Sequence, residues 1–183
     1  MHLFCYDVRK VMQATAALLR PEEAKQMSYL RLLKLLYIAD RESMRETGRP
    51  ITGDHAVAMD HGPVLERVYD LIKGKGYNTP EWCRHFQVTG YQIKMTNDPG
   101  VVALSRYELG KLQEVLGRYA AMTEWGIVEE THKFEEWVRN YVEGPSRPIP
   151  AEALLEAVGR ADDVQQIVQD QKDKADFERL FRG

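Results

Sequence analysis

Apolar residues recur at helical spacing along most of the chain. Between residues 8 and about 20 they lie on one side of a helix, which Asp7 caps and Pro21 ends. The segment from residue 28 to about 46 contains "YLRLLKLLYIAD", which is apolar on most sides. This pattern is typical of a central helix with several packing neighbours, and Gly48 stops it.

Shorter helices are predicted further along. Residues 64–73 have apolar positions at helical spacing, with Pro63 where the first helical residue is expected and Gly74 at the end. Ser105 and Glu108 have the spacing of a capping box, which predicts a helix to about residue 122.

The last third of the chain predicts several short helices. Thr123 is placed to cap one, and "KFEEWVRNYV" suits another. The loop "EGPSRPIP" precedes a helix over residues 151–159, and a polar, helix-prone tail follows from Asp162, with Val164, Ile167, Val168 and Ala175 on one side. This tail is expected to pack on its own domain, although a role as an arm against a partner or a second copy stays open.

One region favours β-structure. "FQVTGYQIKM" and "VVAL" are rich in strand-forming residues and flank the turn "NDPG", which predicts a hairpin. The expected fold class is therefore mainly α: a compact helical domain with a small β-hairpin and a C-terminal helical extension.

Composition narrows the class of protein. The 183 residues suffice for one domain, and a net charge of -3 with a pI of about 6.0 lacks the basic footprint of a nucleic-acid-binding domain. The two cysteines form no disulfide framework, and no apolar run reaches the roughly 18 residues of a membrane helix. We expect a cytoplasmic protein that does not bind a membrane.

Motifs for catalysis are not found in the sequence. The five histidines and two cysteines lack the spacing of a zinc site, and neither G-x-S-x-G nor a phosphate-binding loop occurs. We therefore expect no catalytic residue, no cofactor and no metal ligand. An enzyme built around Asp60, His61 and His132 is the weakest of the hypotheses.

The stretch "MDHGPVLERVYDLIKG" admits two interpretations. Gly62 and Pro63 are suited to begin a helix, which needs no ligand and is the favoured interpretation. Alternatively, Asp60, His61 and the first N–H groups of the helix face an anionic group of a partner.

A basic edge follows the central helix. Arg31, Lys34, Arg41 and Arg45 fall within an arc of roughly 80° at about 100° per residue. Such an edge is either a solvated face neutralised by acids such as Glu42 or a docking edge for an acidic partner, and the pattern alone supports both.

Four motifs in order resemble the Panacea antitoxin domain, the group of SocA-like antitoxins. They are K-L-L-Y-x-A-D at residues 34–40, G-x-P-I-x-x-D at 48–54, G-P-V at 62–64 and V-Y at 68–69. The later stretch "ALSRYELGKLQEVLGRYAAMTEWGIVEETHKFEEW" is similar to the second half of the family. The resemblance covers about residues 7 to 160, so we expect a Panacea domain over residues 1–160 and a helical extension over 161–183.

The resemblance implies a mainly helical fold and a non-catalytic role, with no cofactor. The implied function is that of an antitoxin, often phage-associated, that binds a protein toxin encoded by an adjacent gene. The alternative is a protease adaptor or a phage-associated regulatory protein that binds protein or nucleic acid. Six residues are the candidates for partner binding: Arg31, Lys34, Arg41, Arg45, Asp60 and His61.

Overall fold

The computed structural model describes residues 3–181, except the side chains of Ala175 and of residues 178–181. Helices predominate in this part of the chain. They are α1 (Val8–Leu19), α2 (Tyr29–Thr47), α3 (Glu66–Ile72), α4 (Thr79–Trp82), α5 (Arg106–Arg118), α6 (Glu124–Thr131), α7 (Glu135–Asn140), α8 (Ala151–Ala157) and α9 (Val164–Phe181). Short 3-10 turns lie at Glu23–Lys25 and Ala161–Asp163.

Within residues 3–181, six short strands form two antiparallel sheets of three strands each. They are β1 (Gln26–Ser28), β2 (Ala56–Met59), β3 (Gly62–Leu65), β4 (Phe86–Thr89), β5 (Gln92–Met95) and β6 (Arg147–Ile149). The strand orders are β1-β5-β4 and β3-β2-β6. The fold is therefore helix-dominated, as predicted, but it is mixed α/β rather than purely α.

The predicted helix ends are largely confirmed. The Asp7 carboxylate accepts hydrogen bonds from the first turn of α1, and Gly48 ends α2 in the left-handed conformation at a φ of 75°. Ser105 and Glu108 form the predicted capping box of α5, and the Thr123 hydroxyl caps α6. These caps satisfy backbone groups that each helix end would otherwise leave unpaired.

A β-hairpin is present in the predicted region, but the predicted pairing of "FQVTGYQIKM" with "VVAL" across "NDPG" was wrong, because both strands lie within "FQVTGYQIKM". Strands β4 and β5 reverse at Gly90, whose φ is 59°, and not at "NDPG". The "VVAL" segment is not a strand. The preceding segment "NDPG" forms a loop, because the Asp98 carboxylate accepts from the Arg20 guanidinium at 2.8 Å and from the Gly100 N–H at 2.8 Å.

Pro63 does not begin a helix, which corrects the favoured interpretation of "DHGPV". It lies in β3 opposite Ala58, and α3 begins only at Glu66. Proline is tolerated there because β3 is an edge strand of its sheet and has a free side for the missing N–H. The sheet was missed because β2 and β3 are buried at nearly every position and show no alternation. Strand β6 lies in the predicted loop "EGPSRPIP".

Helix α2 is the centre of the core, as its apolar pattern predicted. All residues from Leu32 to Asp40 are buried, and α1, α5, α6 and β3 pack around them. The start of α9 also packs on this core through Val164 and Ile167, while most of its later described side chains are exposed. The side chain of Ala175, predicted on the same apolar side, lies outside the described residues.

Two aspartates of the motifs, buried Asp40 and half-buried Asp54, tie loops to this core. Asp40 accepts from the N–H groups of Ile51 at 2.9 Å and Thr52 at 3.1 Å, and from the Thr52 hydroxyl. Asp54 accepts from the Val68 N–H at 3.0 Å in the first turn of α3. Burial raises the pKa of Asp40 to about 7 and that of Asp54 to about 6. Both residues therefore hold the chain between α2 and α3 in place.

Candidate functional site

Lys34 of the predicted basic edge lies beneath the surface. Its side chain is 0% exposed, and its Nζ donates to the carbonyl oxygen of Pro63 at 2.7 Å. Burial lowers the pKa of Lys34 to about 7, because water no longer solvates the ammonium. Direct contact with a partner would require the covering residues to move.

Arg41 is held by a buried carboxylate. Its Nε donates to Oε1 of Glu136 at 2.6 Å, and its guanidinium carbon lies 4.1 Å from the centre of the Phe134 ring. Glu136 is 0% exposed and also accepts from the Tyr37 hydroxyl at 2.9 Å. Arg41 thus fixes α7 against α2.

The other two basic residues differ in exposure. Arg31 donates to the carbonyl oxygens of Met122 at 2.6 Å and Tyr119 at 3.0 Å, which holds the turn that leads into α6. Arg45 is exposed and lies 3.5 Å from Glu46. The basic edge is thus not one continuous open surface, and contact of these residues with a partner stays a prediction.

Asp60 and His61 form the two-residue turn between β2 and β3. Oδ1 of Asp60 accepts from the Tyr141 hydroxyl and from the Gly144 N–H, both at 3.1 Å. The Trp137 indole N–H donates to the Met59 carbonyl at 3.1 Å. The turn is therefore fixed from α7 and from the segment that follows it.

Gly62 completes this turn at a φ of 87° and cannot be replaced easily. A Cβ atom there would lie 2.6 Å from the Thr131 hydroxyl oxygen and 2.9 Å from the Lys34 Nζ. Next to them, His132 stacks on Trp137 at 4.2 Å between ring centres, and burial together with Lys34 lowers the pKa of His132. The turn thus sits directly on a packed polar layer.

An open cleft of about 490 Å³ lies beside the turn, and we call it the aromatic cleft. Buried Leu33 and Val64 form its base. Aromatic side chains surround it: Tyr29, Tyr69, Tyr91, His61 and Trp125. Trp125 is 54% exposed and Tyr91 is 77% exposed, although both are large and largely apolar.

The aromatic rings of the cleft are arranged in two groups. Tyr29 and Tyr91 lie 5.9 Å apart between ring centres, and the rings of His61 and Trp125 are nearly perpendicular, with their centres 5.2 Å apart. Asp60 and Glu124 are its two charged lining residues apart from His61. The cleft is therefore a concave aromatic surface with an acidic margin.

The described residues contain no group of three or more His, Cys, Asp or Glu side chains placed to hold a metal ion. Asp60 and His61 are neighbours in the turn, and His132 lies beneath it, so the structure does bring these three residues together.

Across residues 3–181, none of the helices combines the length and apolar character needed to cross a bilayer.

Sequence reasoning identified Asp60 and His61 but missed the aromatic residues of the cleft. Tyr29, Tyr91 and Trp125 come from α2, the β4–β5 turn and α6, which are far apart in sequence. A signal was present for Tyr91, since an aromatic residue in a two-residue hairpin turn has no core face to enter. Trp125 gave a similar signal, because it lies off the apolar positions Ile127 and Val128 of α6.

This architecture defines a helix-dominated domain whose buried polar residues hold a small sheet and an aromatic cleft beside it. The sequence profile of the family described as antitoxin SocA-like, Panacea domain, matches residues 32–138, which is more than half of the chain. The chain therefore belongs to this family, and the resemblance noted from its motifs is confirmed. No curated protein and no solved structure matched the chain. Family membership suggests an antitoxin role, a toxin as the class of partner and a non-enzymatic activity.

Proposed function

We propose that this protein is a non-catalytic antitoxin that neutralises a protein toxin by direct binding through the aromatic cleft. Family membership supports the class of function. The exposed aromatic residues Tyr91 and Trp125 lie beside the turn formed by Asp60 and His61, and they support the location of the binding surface. Tyrosine and tryptophan are the residues that most often dominate the binding energy of protein interfaces.

The proposed mechanism is that the bound protein blocks a functional site of the toxin. A rigid concave surface binds without a large ordering cost, and the turn at Asp60 is already fixed by Tyr141 and Trp137. We further propose that the toxin is the product of an adjacent gene. The domain itself is proposed to include residues 1–160, since α1 and α8 pack on the same core as α2.

The test is co-expression of this chain with the adjacent open reading frame, scored by growth and by recovery of a stoichiometric complex. We expect growth to be restored by the wild-type chain. The double variant Tyr91→Ala/Trp125→Ala should lose rescue and complex formation while it retains the thermal midpoint of the wild type. The matched control is Tyr77→Ala, because Tyr77 is 98% exposed and lies outside the cleft.

Two results would contradict the proposal. A chain that gives neither rescue nor a complex is not an antitoxin for that product, and its role would then be sought as a protease adaptor or regulatory protein. A double variant that still rescues growth would keep the antitoxin function but remove the aromatic cleft as its binding surface.

A further inference from the structure

We propose that the aromatic cleft binds an arginine side chain displayed by the protein partner. This inference rests on the proposed function and specifies the chemistry of its binding surface. It is argued from the charges that line the cleft, from the cations of this chain that lie near it, and from an arginine site of the same kind inside the fold.

The charge of the cleft is acidic. Asp60 and Glu124 line it, and within the described part of the chain no lysine or arginine does. Within residues 3–181 Glu124 forms no salt bridge, and the hydrogen bonds to Asp60 go to Oδ1, which leaves Oδ2 available as an acceptor. A cationic group on the partner would therefore be complementary to this margin.

Two cations near the cleft are already bound by groups of this chain. Arg31 is turned to the carbonyl oxygens of Tyr119 and Met122. Lys73 donates to the Tyr29 hydroxyl at 2.9 Å, and its ammonium lies 4.6 Å from the centre of the Tyr29 ring. The contact of Lys73 shows that a tyrosine of the cleft attracts a cation to its face, whereas no described lysine or arginine side chain among residues 3–181 lies over the Trp125 ring.

The fold contains a model for the arginine contact. Arg41 lies with its guanidinium over the Phe134 ring at 4.1 Å and donates to the Glu136 carboxylate at 2.6 Å. An aromatic face and a carboxylate thus hold one guanidinium together. Trp125 and Glu124 are adjacent in sequence and both line the cleft, so they offer the same pair of groups to a guanidinium from outside.

Arginine suits this surface better than lysine does. Its guanidinium is planar, stacks on aromatic rings and can pair with a carboxylate through two parallel hydrogen bonds. Its aliphatic stem can cover the apolar base formed by Leu33 and Val64. A strongly hydrated ammonium matches only the charge.

The experiment is an NMR titration of the full chain with the peptide N-acetyl-Gly-Arg-Gly-amide, followed through the Trp125 indole N–H signal. Because Trp82 is buried and lies outside the cleft, it serves as the internal reference, and the variant Trp125→Phe assigns the Trp125 signal. The comparison peptides carry citrulline, an uncharged analogue of similar shape, lysine or glutamate in place of arginine.

We expect a saturable shift of the Trp125 signal with the arginine peptide. The citrulline peptide should bind about ten-fold more weakly, because it keeps the shape but loses the charge. The variant Glu124→Gln should reduce the affinity for the arginine peptide by a similar factor and leave the affinity for the citrulline peptide unchanged. The exposed pair Lys133 and Glu130 lies outside the cleft, so Glu130→Gln is the matched control.

Equal binding of the arginine and citrulline peptides, or no shift with either, would overturn the inference. If the lysine peptide bound as tightly as the arginine peptide, the cleft would recognise any cation and the arginine assignment would be wrong. If the glutamate peptide bound, the assigned charge of the ligand would be wrong. The proposed function is judged separately by growth rescue. If rescue occurs and depends on Tyr91 and Trp125 while the arginine peptide fails to bind, the antitoxin function stands and only the arginine assignment fails.

Discussion

Replacement of Lys34 by methionine tests whether burial keeps this lysine largely neutral. The Lys34 side chain is fully buried, and its Nζ donates to the Pro63 carbonyl oxygen. No carboxylate of the described residues lies within salt-bridge distance of it, so desolvation is the cause that lowers its pKa from 10.5 to about 7. Methionine keeps an unbranched side chain of similar size and removes the charge.

The sign and size of the effect follow from the two pKa values. Since the pKa of Lys34 is lower in the folded than in the unfolded chain, the unfolded chain binds more protons between pH 7 and 10.5. Stability therefore rises with pH in this window, and below about pH 7 Lys34 adds no further pH dependence because it is protonated in both the folded and the unfolded chain. From pH 6 to pH 9, Lys34 alone should add about 2–3 kcal/mol to the free energy of unfolding.

The assay is urea denaturation of the wild type and of Lys34→Met at pH 6 and pH 9. Other groups titrate in this range, so the informative quantity is the difference between the two proteins. We expect the wild type to gain about 2–3 kcal/mol more than the variant between the two pH values. Lys75→Met is the control, since Lys75 is exposed, and it should follow the wild type.

One result would refute the reasoning about Lys34. If the wild type and Lys34→Met gained equal stability between pH 6 and pH 9, the ammonium would not be desolvated in the folded chain. The bond to Pro63 would then hold a fully charged lysine, and the burial seen in the structure would be offset by another interaction.

Three other substitutions test the framework by chemical denaturation. Asp40→Ala orphans two buried N–H groups and should cost about 2–4 kcal/mol, whereas an unchanged midpoint would contradict the loop-holding role. Arg41→Ala leaves Glu136 buried without its cation and should lower the free energy of unfolding by about 3–5 kcal/mol. Adding Glu136→Gln should restore part of this loss. Equal losses in the single and the double variant would argue against the buried charge as the cause. Gly62→Ala should lower the free energy of unfolding more than Gly90→Ala does. Both glycines have a positive φ, but only at Gly62 would the new Cβ meet a side-chain atom at 2.6 Å. Similar losses of stability in the two variants would show that the neighbours of Gly62 adjust.

Much of the helical part of the fold could be predicted from local signals. Caps such as Asp7 and Ser105 act within one turn of the chain, and the apolar pattern of α2 states directly that this helix is buried on most sides. Such features depend on neighbouring residues alone, so sequence spacing is sufficient to place them.

The sheets could be predicted only in part, because strand pairing depends on distant residues. Strand β1 pairs with β5 across more than 60 positions, and β6 pairs with β2 across about 90. Each strand is only three or four residues long and gives a weak pattern. Pro63 misled the prediction because proline suits both a helix start and an edge strand, and only the pairing with β2 distinguishes them.

The same limit explains the outcome for the candidate site. The arc of Arg31, Lys34, Arg41 and Arg45 was derived from helix geometry. This geometry gives the direction in which each side chain leaves the helix axis, but it does not show which other elements cover that side of the helix. Helix α7 supplies Glu136 to Arg41, and the start of β3 at Gly62 and Pro63 covers Lys34. The aromatic cleft combines residues from separate elements, so no single stretch of sequence contains its pattern.

The motif and the cleft are physically joined at the G-P-V segment of β3. From inside, Lys34 donates to the Pro63 carbonyl; on the outer side, Gly62 and Val64 line the cleft. A change at Lys34 will therefore alter the position of the cleft wall as well as the stability of the fold. Within residues 3–181, the side chains of Glu124 and Trp125 have no such buried bond, so under the proposed function we expect changes there to alter partner affinity alone. Comparison of stability and partner affinity across these two kinds of variant separates the framework from the binding surface.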